Sequence, residues 1–214
     1  MIELILSCMP LILRGLTITL LVSLAVVLLG TLLGIGGGLA LLHGARPLRL
    51  LVRIYVDVCR GIPHLVLIFA IFYGFPALGL QVSAVVAGIL ALSLFCGAHM
   101  SEIVRGALDS IPRGQADAAK ALGLTFLQRL RHVLFPQALG RILPAWVNTA
   151  VEIVKSSSLV SLVSVVDLTM AIQQIVGRTR EALLFYAVAA ALYFAINFTL
   201  SVTGRRLERK FAHG

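Results

Sequence analysis

The chain holds 214 residues, of which 59% are hydrophobic and only 13% charged, with a mean hydropathy of +1.02. An ordinary soluble domain carries about 25% charged residues, so a water-soluble globule is excluded, as are disordered and collagen-like chains. A polytopic membrane protein remains, and the net charge of +9, from 18 Lys and Arg against 9 Asp and Glu, is then a matter of where the charges sit rather than a pointer to nucleic acid.

Met1–Leu13 lacks the basic start of a cleaved signal, and nothing basic precedes Cys8 as a lipidation signal would require. A spanning helix needs about 20 mostly apolar residues, which Gly15–Leu42 exceeds without a single charge. Within it Gly30, Gly34 and Gly38 recur every four residues, a small-residue face for close helix packing. A second span is expected over 50–74, borrowing the polar turns around Asp57 and Arg60, with Pro63 kinking it because proline removes a backbone donor. A third runs over 82–104, a fourth over 142–166 and a fifth over 182–203, with a cytoplasmic loop at 105–141. Thirteen of the 18 Lys and Arg fall on one side, so the positive-inside rule reads five transmembrane helices with the N-terminus out and the C-terminus in. Cys8, Cys59 and Cys96 are widely spaced and read as small apolar packers, and no metal or catalytic cluster is read among the scattered His43, His64, His99, His132 and His213.

The 105–141 loop is helical in pattern. Gln115–Leu122 is built of strong helix formers and ends at Gly123, and Thr125 with Gln128 fits a capping box. The second short helix carries Arg129, Arg131 and His132 and is expected to stop before Pro136. Such a protrusion suits either an anionic lipid surface or docking to a partner.

Asp117, Ala118 and Ala119, then Gly123 after three residues and Val133-Leu-Phe-Pro136 after nine more, resemble the EAA signature of binding-protein-dependent ABC transporter permeases. Asp stands for Glu, Val for Ile and Phe for Leu. Arg60-Gly-Ile-Pro63, Glu102–Gly106, Ser110–Gln115, Pro136–Leu139 and Lys155–Ser161 are similar to the polar amino acid branch, and the likeness runs from about Gly15 to the end. It implies the all-α fold of a type I ABC importer permease in the bacterial inner membrane. Asp117, Ala118, Ala119, Gly123, Arg129 and Pro136 are then the coupling segment that fits a groove on a dimer of ATP-binding subunits. ATP and magnesium belong to that partner, and this chain is no enzyme and binds no cofactor. Its own glycines lack the Gly-x4-Gly-Lys-Ser/Thr spacing of a phosphate loop. A second permease subunit, identical or related, and a periplasmic or extracellular amino-acid-binding protein complete the expected assembly.

The fourth span holds Glu152 and Lys155 near the membrane midplane, where a charge costs roughly 2.5–3.5 kcal/mol on insertion scales and must face protein or water. At i,i+3 the two can pair as a helix-orienting buried ion pair. They can instead line a substrate path with Ser156, Ser157 and Ser158, while Asn148 bonds Glu152 or shares its face. Asp57 with Arg60, and Glu102 with Arg105 and Asp109, are further pairs at span ends, either solvated at the interface or contacts of an inward gate. Gln173, Gln174, Arg178 and Arg180 lie on the outer side, in a solvated loop or against a docked binding protein. An ion-coupled secondary transporter is the alternative function, although five spans without an inverted repeat fit it poorly.

Overall fold

The computed structural model describes residues 2–211, with side chains from Glu3 to Glu208; the side chains of Arg209 and Lys210, and His213, lie outside it. Every regular element among the described residues is helical: α1 (Ile2–His43), α2 (Arg46–Gly61), α3 (His64–Ala77), α4 (Ala84–Asp109), α5 (Arg113–Ala121), α6 (Phe126–Arg129), a π-helical turn (Leu130–Leu134), α7 (Phe135–Ser156), a 3-10 segment (Ser157–Val163), α8 (Leu168–Thr179) and α9 (Ala182–Phe211). Three of these, α1, α4 and α9, are long and apolar enough to cross a membrane, and the count reaches five if each of two bent pairs is one span.

The spine is α1 against α4. A Cβ added at Gly30, Gly34 or Gly38 would fall on Cys96, Met100 and Val104 in turn, and one at Gly37 on Ser101. The glycine face therefore packs as its spacing predicts, and because both numbers rise together the two helices run parallel. α4 is buried along most of its length, with Ala87, Ala91, Leu92, Ala98 and Val104 fully enclosed. Ser83 caps its start, accepting from the Val86 amide at 3.3 Å.

Two expected spans are not straight helices. The 50–74 segment breaks at Ile62 and Pro63, and α2 and α3 stand 110° apart. The residue before a proline is driven out of the α region, and Ile62 sits at φ −99°, ψ 133° and Pro63 at φ −57°, ψ 141°. The 142–166 segment is α-helical only to Ser156; the chain then tightens into the 3-10 segment, turns at Ser164 with φ 67°, and enters α8 at 53° to the helix before it.

The expected stop before Pro136 does not occur either. Helix continues from Phe126 through the π-helical turn into α7. An interior proline lacks the N–H for an i→i−4 bond and its ring collides with that carbonyl; the wider π turn directly ahead of Pro136 relieves both.

α7 runs antiparallel to α9, with Gly204 against Val147 and, further along, Ile196 and Leu200 lining one cavity with Ala150 and Val154, and hangs on α1 through the Trp146 indole N–H, which donates to Thr31 Oγ1 at 2.9 Å. Toward its N-terminal end, α1 joins a second small core in which Ile12 packs with Leu168, Ile172, Ile175 and Phe185. Asp167, fully buried, organises this corner: it accepts from the Met170 amide at 2.9 Å and from the Tyr193 hydroxyl at 3.4 Å, while the Leu168 amide donates to Thr19 Oγ1 at 3.0 Å. Those bonds tie α1, α8 and α9 together.

Gly34→Leu is expected to force α1 off α4 and lower the thermal midpoint of the detergent-purified protein, an overpacking cost of about 1–3 kcal/mol. Gly36, where an added Cβ meets nothing within 4 Å, is the control. Gly36→Ala should hold or slightly raise the midpoint, since alanine favours helix over glycine by about 1 kcal/mol.

Candidate functional site

Asn148, Glu152 and Lys155 stand at i, i+4 and i+7 of α7 and so share one face. Asn148 and Lys155 are exposed and Glu152 is half-buried. Among the described residues Glu152 forms no ion pair with Lys155 and receives no hydrogen bond from Asn148, and Asp57 forms none with Arg60. At i,i+3 the side chains leave from adjacent rather than identical directions, and Lys155, Asp57 and Arg60 are all exposed, so nothing packs these partners together. The helix thus presents an unneutralised polar stripe.

Both helix breaks meet beside that stripe. His64, the first residue of α3, and Ser156, the last of α7, share a hydrogen bond of 3.1 Å between Nδ1 and Oγ. The His64 ring stands edge-on to Phe95 with centroids 3.9 Å apart, and Phe95 stacks on His99 at 5.7 Å. Glu152 and His99 are close enough to His64 to act on it electrostatically. Two histidines that look scattered in sequence therefore flank one aromatic ring. The three serines divide: Ser157 is fully buried and donates to the Val154 carbonyl at 2.8 Å, Ser158 donates to the Lys155 carbonyl at 2.7 Å, and Ser156 alone reaches across to another helix.

Glu102 is the hub of a second cluster. It accepts from Arg105 at 2.7 and 2.9 Å and from Arg53 of α2 at 2.9 Å, and Arg105 also approaches Asp109 at 3.9 Å. The Glu102–Arg105 step follows from i,i+3 spacing; Arg53 is 49 residues away in sequence and no periodicity announces it. Close by, Arg141 donates to the Ser110 carbonyl at 2.8 Å, fastening the start of α7 to the end of α4.

The expected 105–141 loop is shorter in the structure, because α4 runs on to Asp109 and α7 already begins at Phe135, and the residues between them, 110–134, fold into a tip. α5 ends where Gly123 takes φ 74°, the left-handed conformation that favours glycine at a helix terminus, and the Leu124 amide donates back to the Ala119 carbonyl at 3.2 Å. The capping box forms: the Thr125 amide donates to Gln128 Oε1 at 2.8 Å and the Gln128 amide to Thr125 Oγ1 at 3.4 Å. Ala119 is buried as the packing point, Asp117 and Ala118 face outward, and half-buried Arg129 closes the short α6. Phe126 packs its ring edge on His43 at the end of α1, centroids 4.8 Å apart. Leu122 and Leu127 are left 80% and 70% exposed, two large apolar side chains at the tip of a polar, rigidly capped protrusion.

The family model described as "Binding-protein-dependent transport system inner membrane component" matches residues 27–213. The probable amino-acid ABC transporter permease protein YckA of Bacillus subtilis (strain 168) is 34% identical over 204 residues, covering 95% of this chain and 90% of that one. The probable glutamine ABC transporter permease protein GlnP of the same organism is 34% identical over 197 residues, covering 91% and 90%. Among solved structures, an amino acid ABC transporter crystallised with histidines superposes with a TM-score of 0.88 at 32% identity, covering 96% of each chain.

Replacing Glu102 by Gln is expected to lower the thermal midpoint more than replacing Arg53 by Gln, since one carboxylate serves two guanidinium groups. A double-mutant cycle on Arg53 and Glu102 should return a coupling of about 1 kcal/mol or less, given the exposure of the arginine.

Proposed function

Because the chain belongs to the binding-protein-dependent transport system inner membrane components and is the permease subunit of an ABC importer, we propose that the polar stripe of α7 lines the path of a polar amino acid and that the folded tip carries ATP-driven motion into it. ATP hydrolysis resides in a separate subunit, and the family implies partners that bind ATP and deliver substrate. Permeases of this family generally bind no cofactor. The observation that carries the reading is Asn148, Glu152 and Lys155 standing accessible and unpaired on a membrane-embedded helix. Charges at that depth are costly against lipid and are placed toward protein or a water-filled cavity. Among the described residues the stripe meets no salt-bridge partner, and Asn148 and Lys155 are exposed, so a second permease subunit across the path, identical or related, completes the cavity.

The helix directions support five crossings with the termini on opposite sides of a bacterial inner membrane, since α1 and α4 run parallel and α7 runs against α9. The Lys and Arg excess puts the N-terminus outside and the C-terminus in the cytoplasm. Each bent pair then counts as one crossing, and its break falls where irregular backbone is tolerated, against protein and a cavity rather than lipid. On this layout Ser156 belongs to the path with Asn148, Glu152 and Lys155, whereas Ser157 and Ser158 end the α-helix by bonding back to it. Arg53, Glu102 and Arg105, with Asp57 and Arg60 nearby, gate the cytoplasmic mouth. Leu122 and Leu127 enter the ATP-binding subunit, and Asp117, Ala118, Ala119, Gly123 and Arg129 shape the segment that holds them. Two ATP-binding subunits, one under each permease, and a periplasmic binding protein above make up the importer.

Glu152→Gln and Lys155→Met are each expected to cut ATP-driven amino acid uptake by the reconstituted transporter about tenfold or more while leaving subunit assembly intact, the scale of losing one charged contact. Wild-type uptake by both variants would sink the path assignment. Gly123→Arg, which places a bulky side chain at φ 74° beside the contact surface, should leave membrane insertion intact and separate ATPase activity from uptake. Normal substrate-stimulated transport in that variant would count against the coupling role.

A further inference from the structure

His64 occupies a place that the path reading leaves without a task. It begins α3 directly after the 110° break, is half-buried, and its ring plane is fixed by the edge-on Phe95 and the hydrogen bond with Ser156. That bond uses Nδ1; among the described residues Nε2 has no hydrogen-bond partner. A ring held by one nitrogen presents the other in a defined direction, and an imidazole switches between a single N–H and a cationic pair of donors in the range of about pH 5–8. The charged and titratable groups facing it are Glu152, with Lys155 one turn on, from α7, and His99 from α4, while Asp57 and Arg60 stand before the break in the last turns of α2.

We propose that His64 is a specificity-determining residue of the path, presenting Nε2 to the passing amino acid beside Glu152 and Ser156. The proposal rests on the α7 stripe being that path. Its chemical consequence follows from charge. A neutral imidazole leaves the Glu152 carboxylate to attract a cationic side chain, whereas a protonated one offsets that carboxylate and favours an uncharged side chain. Selectivity between the two then follows pH through this one ring.

The test uses the complete transporter, with its ATP-binding subunits and binding protein, in proteoliposomes. Cys59 and Cys96 are buried and Cys8 is half-exposed, so His64→Cys is made in a Cys8→Ser background and treated with a membrane-impermeant methanethiosulfonate. Labelling that saturating glutamine or arginine suppresses is expected; a thiol that does not react, or reacts equally with and without either amino acid, overturns the proposal. In the second arm the arginine-to-glutamine uptake ratio is compared at about pH 5.5 and about pH 8, either side of the imidazole range. The wild-type ratio should fall by about threefold or more on acidification, the scale of one partly screened charge interaction. His64→Asn, which can still hydrogen-bond Ser156 but does not titrate, should abolish the fall. The binding protein is common to both transporters, so its own pH response cancels. An Asn variant that keeps the wild-type pH response overturns the proposal, whereas a wild-type transporter without ATP-driven uptake of any amino acid tells against the path reading beneath it.

Discussion

Everything in this fold hangs on how closely α1 can approach α4. Three glycines one turn apart let the backbone of α1 settle onto Cys96, Met100 and Val104, and in lipid such close packing is what holds helices together, since tails are as apolar as leucine. α4, once buried, carries Phe95, His99 and Glu102 to fixed heights. α1 supplies the Thr31 hydroxyl that holds Trp146, and with it the register of α7. The polar stripe, the two helix breaks and the tip are therefore positioned by residues that carry no chemistry themselves.

On that frame the charged residues sort by what neutralises them. Glu102 has two arginines and links α2 to α4 where the gate is proposed. Asp167, deep among α1, α8 and α9, is satisfied by an amide and a tyrosine hydroxyl and acts as a cap. Glu152 and Lys155 have no such partners among the described residues, and on the proposed path what neutralises them lies outside the chain. The tip repeats the logic with the opposite polarity: Leu122 and Leu127 are apolar groups held rigidly where water is the only neighbour in the chain alone. Unmet chemistry at both places, polar on α7 and apolar at the tip, fits the proposal of a subunit completed by others.

Local signals in the sequence were enough for the membrane class, the glycine face, the Gly123 stop, the Thr125–Gln128 box and the Glu102–Arg105 step, because each depends on residues within a few turns. Pro63 announced a break but not its 110° angle, which is set by packing of α3 against α4. Pro136 misled, since a proline reads as a helix end unless the preceding turn widens, and nothing in Leu130–Leu134 advertises a π turn. Asp167 has the ordinary signature of an N-cap before an apolar run, but the residues up to Val166 run into it without a charge, glycine or proline as a break. The His64–Ser156 and Arg53–Glu102 contacts join residues 92 and 49 apart, and no periodicity encodes such meetings.

The central claim is that the face of α7 bearing Asn148 looks onto water within the assembled membrane protein. Electron paramagnetic resonance of a spin label at Asn148→Cys, compared with one at Phe198→Cys on the exposed face of α9, measures it directly in the reconstituted complex, each in a Cys8→Ser background. The account predicts that the label at 148 relaxes readily with a water-soluble nickel chelate and weakly with oxygen, and that the label at 198 shows the reverse. A label at 148 that favours oxygen as strongly as the one at 198 would place the stripe against lipid and contradict the account.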